Sequence, residues 1–99
     1  MNSHIALSQI TDKLHCKSPL IFPYIIKNSQ YIIDCNISDY PLHISEDSYD
    51  AMVKELQEEL YNLWVCYVRD IGAWNLHNKT TEIHDWLIRH IEEDYSETV

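Results

Sequence analysis

From Tyr49 to Val68 the apolar residues recur at steps of three and four: Tyr49, Met52, Val53, Leu56, Leu60, Leu63, Trp64, Tyr67 and Val68. That spacing belongs to a helix with one apolar stripe. The stripe has to be covered, so the remainder of a 99-residue chain must supply a surface for it. Ser45 suits the N-cap of this helix, and Glu46 and Asp47 suit the positive end of its dipole. Arg69 suits the last turn and Gly72 the C-terminal cap.

The covering surface is written just upstream. Leu20 to Lys27 and Gln30 to Ser38 are rich in Ile and Tyr, as strands are, with Asn28-Ser29 as a tight turn between them. A two-residue loop sets Ile26 opposite Tyr31, Tyr24 opposite Ile33 and Phe22 opposite Cys35. These residues and Ile37 then share one face, while Asp34, Asn36 and Ser38 take the other. Pro23 lacks a donor, which predicts an edge strand or an outward position. Tyr40, Leu42 and Ile44 alternate in phase and predict a short third strand.

Two further helices are expected. Ser3 to Cys16 places Ile10 and Leu14, and Ser3 and Leu7, four apart, which predicts an amphipathic helix capped by Ser3 and ended by Ser18-Pro19. After a loop anchored by Trp74 and Leu76, Thr80 or Thr81 caps a last helix. Its stripe is Ile83, Trp86, Leu87, His90 or Ile91, and Tyr95, with Glu82, Asp85, Glu92, Glu93 and Asp94 on the solvent side. The expected fold is α+β in a single domain, residues 1–99. It has an N-terminal helix, an antiparallel sheet of two or three strands, then the long helix and a C-terminal helix packed on one face.

Charge narrows the function. Residues 1–44 carry three acids and three bases, whereas residues 45–99 carry thirteen acids and four bases, so the net charge of −9 belongs to the second half. An extended acidic field attracts basic partners and repels nucleic acid and anionic lipid. Asp47, Asp50, Glu55, Glu58 and Glu59 are expected to point away from the apolar stripe of the long helix, Glu59 at its margin. Carboxylates spaced on rigid helices can stand where phosphates stand in a Lys/Arg-lined cleft. Tyr61 lies off the centre of the stripe and Trp74 in a loop, so these two are the expected contact anchors, since Tyr and Trp are enriched at interface hot spots. Protonation of all six histidines would take the formal charge from −9 to −3 and weaken such contacts.

Catalysis and metal binding find little support. Only one glycine is present, which excludes a phosphate-cradling loop or a dinucleotide fingerprint. No local signature frames a Ser or Cys nucleophile with a base. His4, His15, His43, His77, His84 and His90 lack the paired spacing of zinc sites, and His15-Cys16 are neighbours that chelate one ion poorly. No metal and no cofactor is expected. Cys16, Cys35 and Cys66 are odd in number and far apart, which predicts reduced thiols, mostly buried. The N-terminus lacks the basic start and apolar run of a signal peptide, and no window reaches a membrane-spanning length, so a cytoplasmic location is expected, in the host cell if the chain is viral.

Residues 20–60 resemble the HicB-like antitoxins: Tyr31-Ile32-Ile33 as the second strand, Asp39-Tyr40-Pro41 as the turn, and Ser45-Glu46-Asp47-Ser48 as the cap before Tyr49 to Leu60. The usual Gly-Cys after the proline is replaced by Leu42-His43, and the Gly before the helix is missing. The resemblance implies a β-β-β-α unit that binds and silences a toxic partner without catalysis.

Together these features predict a small acidic inhibitor that occludes a basic nucleic-acid-binding effector or nuclease. The expected context is phage–host conflict, as an anti-CRISPR or related anti-defence protein. The partner-binding residues would be Asp47, Asp50, Glu55, Glu58, Glu59, Tyr61, Trp74, Glu82, Asp85, Glu92 and Glu93. An antitoxin or immunity protein acting on a nuclease toxin uses the same physics at a catalytic site. A structural subunit that oligomerises, as a homodimer for instance, is the reading of a different class.

Overall fold

The computed structural model describes residues 3–69 and 78–94. Strands β1 (Ser3–Gln9), β2 (Leu14–Lys27), β3 (Gln30–Ile37) and β4 (Tyr40–Glu46) come first. Helix α1 (Tyr49–Trp64), a π-helical turn (Val65–Arg69), helix α2 (Asn78–His90) and strand β5 (Ile91–Glu93) follow. All pairings are antiparallel, in the order β1-β2-β3-β4, with β5 on β2. The architecture is α+β, as expected, but among the described residues the sheet has five strands, and Ser3–Gln9 is a strand where a helix was expected.

The N-terminal helix predicted over Ser3 to Cys16 is instead β1, a turn and the start of β2. Ile5 and Leu7 are buried while His4, Ala6 and Ser8 are exposed, an alternation of period two. The spacing of four between Ile10 and Leu14 comes from the turn. Ile10 and Thr11 both donate backbone N–H groups to the Leu14 carbonyl, at 2.9 and 3.0 Å. The Thr11 hydroxyl accepts from the N–H groups of Lys13 and Leu14, at 3.2 and 3.1 Å. Residues four apart can thus be brought together by a closed turn as well as by a helix.

Ser18-Pro19, expected to stop that helix, lies inside β2. The β1–β2 register slips between Leu7 and Gln9, opposite this stretch, so the proline sits in a bulge. On its other side β2 carries β5 at Leu14–Cys16 and β3 at Ile25–Lys27. Among the described residues, the stretch 17–24 of β2 has no strand on that side. Pro19 and Pro23 both fall there, where a missing donor is tolerated.

Next to its turn the β2–β3 hairpin has the expected register, Ile26 facing Tyr31, but the ladder ends at Ile25–Ile32, short of the expected pairs Tyr24–Ile33 and Phe22–Cys35, and Ile26 is exposed. Its turn residues Asn28 and Ser29 have φ of 53° and 64°, as in a type I′ turn that matches the twist of the strands. The β3–β4 turn is Ser38-Asp39, with Ser38 at φ 56°, and Tyr40 already belongs to β4.

Helix α1 starts later than expected. Ser48, not Ser45, is the N-cap: its backbone is extended and its hydroxyl accepts from the Ala51 N–H at 3.1 Å. Ser45 is held in β4 opposite Ile32, and its hydroxyl donates to Gln30 Oε1. Helix α2 includes Thr80 and Thr81, so neither is a cap, and it ends at His90 because Ile91–Glu93 pairs with β2. Gly72, Trp74, Leu76, His77 and Tyr95 lie outside the described residues.

One core joins both layers. Ile33, Ile37, Leu42 and Ile44 of the sheet meet Met52, Leu56, Leu60 and Leu63 of α1, and Ile83, Leu87 and Ile91 close the end near Leu14 and Cys16. Cys16 is buried, Cys35 half-buried and Cys66 exposed, all as free thiols, so the third departs from the expected burial. Burial pushes the Cys16 and Cys35 thiols above their ordinary range, the nearby Asp34 charge adding to the effect at Cys35.

Candidate protein-binding face

The acids named from the sequence do not form one surface. On α1, Asp50, Lys54 and Glu58 follow one another at steps of four along the exposed side, so a lysine interrupts the acidic row. Asp47 is exposed just before the helix. Glu55 and Glu59 are half-buried, and the Tyr40 hydroxyl lies 3.4 Å from Glu59 Oε1, donating to it. Burial and the Glu59 charge together raise the Tyr40 phenol above its ordinary range, which keeps that donor protonated.

Glu93 is a correction to the expected solvent side. Its side chain is 8% exposed. Its Oε1 accepts the indole hydrogen of Trp64 at 2.9 Å, and the Arg69 guanidinium is hydrogen-bonded to both of its oxygens. Arg69 also sits 5.6 Å from the centre of the Tyr61 ring and donates to its hydroxyl at 3.4 Å. The hydrogen bond to Glu93 is the main reason the Arg69 guanidinium holds its proton above even its ordinary value. Glu93 and Tyr61 therefore spend much of their chemistry inside the molecule. The helix that would have carried Glu93 outward has become β5, and the strand turns it inward beside α1.

Of the remaining acids, Glu58 lines one open groove, and Glu82 and Asp85 line another. The first, about 390 Å³, runs along α1 beside the β1–β2 turn and is lined by Ile10, Thr11, Lys54, Glu58, Tyr61 and Asn62, among others. Its single acid and single base cancel. The second, about 240 Å³, lies between α2 and the β3–β4 turn and is lined by Ser38, Glu82, Asp85, Trp86 and Arg89. Here two carboxylates outnumber one guanidinium, and the Trp86 indole is part of the lining. Its volume is below the ~300–1,000 Å³ of small-molecule pockets and suits an inserted side chain.

Trp86 packs against the core as its stripe position predicts, but it also lines a groove. It lies on the apolar stripe of α2 but is only half-buried, tilted against the His90 ring at 4.5 Å. The signal was available: Glu82, Asp85 and Arg89 flank it at steps of one, three and four on the same helix. Glu92 is exposed on β5, 3.5 Å from His15. Trp74 lies outside the described residues.

Among the described residues, no group of three or more His, Cys, Asp or Glu side chains is placed to hold a metal ion. No described helix is long and apolar enough to cross a membrane. The chain matches no family model, no curated protein and no solved structure. The β2-β3-β4-α1 succession has the order that the HicB-like resemblance implied, and order alone assigns no family.

Proposed function

We propose that the protein is a non-catalytic inhibitor that docks the α2 groove onto a basic, nucleic-acid-handling protein and blocks its nucleic-acid site. The observation that carries this reading is the groove itself: Glu82 and Asp85 beside the half-buried Trp86, at the edge of the β3–β4 turn. An indole with carboxylates on its rim is the pattern that receives a Lys or Arg side chain. The ring takes the aliphatic stem and the π face the charge, and the carboxylates pair with its donors. The exposed Asp39, next to Ser38, adds to the same negative field. A net charge of −9 steers a basic partner in and holds nucleic acid off.

An anti-defence inhibitor of the anti-CRISPR type is the context in which a phosphate-mimicking protein of this size is most useful to a phage. The test compares the wild-type chain with E82K/D85K as bait in a host lysate, at low and at high salt, with identification by mass spectrometry. A basic nucleic-acid-binding protein held by wild type at low salt, shed at high salt and lost with the variant supports the reading. The same proteins captured by both baits, or no basic protein captured, overturns it.

A further inference from the structure

The outer face of the sheet breaks the alternation expected of a solvated sheet. An antiparallel sheet with one face in water alternates apolar-in with polar-out. In β2 the run Leu20-Ile21-Phe22-Pro23-Tyr24-Ile25-Ile26 is apolar at every position, the signature of a strand covered on both faces. Phe22 is buried in the core, yet Ile21 and Ile25 on the opposite face are 59% and 56% exposed, and Ile26 at the hairpin end is 59% exposed. Register sets Ala6 beside Ile21 and Ile32 beside Ile25, with exposed Pro23 between. These five residues form a continuous apolar strip, the kind of patch that marks an interaction site.

Charge selects the occupant. On this face of the hairpin region the formal charges are Lys27 and Asp34, which sum to zero in a chain of net −9. Two copies of so acidic a chain repel one another through almost any other approach. Set outer face to outer face, their helices lie on the far sides. With layers spaced ~10 Å, the acidic helices stand roughly 30 Å apart, beyond a Debye length of ~10 Å at moderate salt. A basic or acidic partner finds no net charge here to recognise. The molecule measures 43 × 35 × 20 Å, dimensions that leave room for a standard interface of ~800 Å² per partner around this strip.

We infer that a second copy of this chain covers the outer face of the β2–β3 hairpin, the two copies packing sheet to sheet through Ile21, Pro23, Ile25 and Ile32. The dimer is independent of the α2 groove and leaves it open, so each dimer presents two grooves.

Sedimentation velocity of the wild-type chain and of I21D/I25D tests this, with circular dichroism to confirm that the variant is folded. The expected result is twice the chain mass for wild type, held or tightened at high salt as repulsion is screened, and at least tenfold weaker association for I21D/I25D. E82K/D85K is expected to dimerise like wild type, which separates this inference from the proposed inhibitor role. If the variant does not fold, dilution of the wild-type protein followed by methyl NMR gives the answer. The Ile21 and Ile25 signals should shift with concentration while those of Ile33 and Ile44 stay fixed. A wild-type monomer at every concentration, an undiminished dimer in folded I21D/I25D, or concentration-independent Ile21 and Ile25 methyls overturns it.

Discussion

Glu93 of β5 accepts the indole hydrogen of Trp64 at 2.9 Å, across 29 positions of sequence. This bond fastens the C-terminal strand to the end of α1, and Arg69 closes the clasp on the carboxylate from the π-helical turn. Trp64 is 4% exposed, so its donor cannot turn to water if Glu93 is removed.

Replacing Trp64 with Phe keeps most of the packed ring and removes the indole donor from the carboxylate. Glu93→Gln keeps an acceptor and removes the charge. Each is expected to cost about 1–3 kcal/mol, the range for a hydrogen bond to a charged group in a desolvated site. Urea denaturation of both single variants and the double variant should show coupling, with the double costing clearly less than the sum. Full additivity would mean that the two side chains do not act as a pair.

The location of the α1 cap makes a second prediction. Ser48→Ala should destabilise by about 0.5–2 kcal/mol because it orphans the Ala51 N–H. Ser45→Ala, at the position favoured by sequence, should stay within about 0.5 kcal/mol, since its exposed hydroxyl bonds only Gln30. Thermal melts of the two variants decide between the positions.

The β2–β3 turn holds Ser29 at φ 64°, a region that costs a residue with a Cβ about 1 kcal/mol or more. Ser29→Gly yields the Asn-Gly pair that type I′ turns prefer. The gain is partly offset by glycine's greater freedom when unfolded, and a net rise of about 0.5–1 kcal/mol is expected. A melting temperature unchanged or lowered would contradict this account of the turn.

Alkaline pH should destabilise the fold. Cys16, Cys35 and Tyr40 are raised above their ordinary values of 9.0 for a thiol and 10.0 for a phenol. Their stabilising contribution is complete below the unfolded values. It is lost as pH rises through the folded ones, because the unfolded chain releases these protons first. Stability should therefore begin to fall near pH 9. Tyr40→Phe, which removes the phenol, should flatten the decline above pH 10. In the folded state a thiol reagent should label exposed Cys66 first, Cys35 next and buried Cys16 last. Equal rates in native buffer would show that the core is not closed around Cys16.

Legibility in the sequence followed the range of the interactions. The α1 stripe, the Asn28-Ser29 hairpin with its register next to the turn and the short β4 alternation were readable, since local periodicity and turn chemistry set them. The segment Ser3 to Cys16 was not, because Ile10 and Leu14 satisfy a helical spacing and a closed turn equally well. Only pairing with β2 tells them apart.

The site divides along the same line. Sequence by itself determined that the excess of acids lies in residues 45–99, that α1 is amphipathic and that Asn28-Ser29 joins two strands, since each is a property of neighbours along the chain. Tertiary structure alone decided that Glu93 turns inward to Trp64 and Arg69, that Trp86 opens onto a groove with Glu82 and Asp85, and that Ile21 and Ile25 remain uncovered. The physical reason is strand pairing. The bonds from Cys16 to Ile91 and from Leu14 to Glu93 take the end of a helical pattern into the sheet, and no local preference records a partner 75 or more residues away.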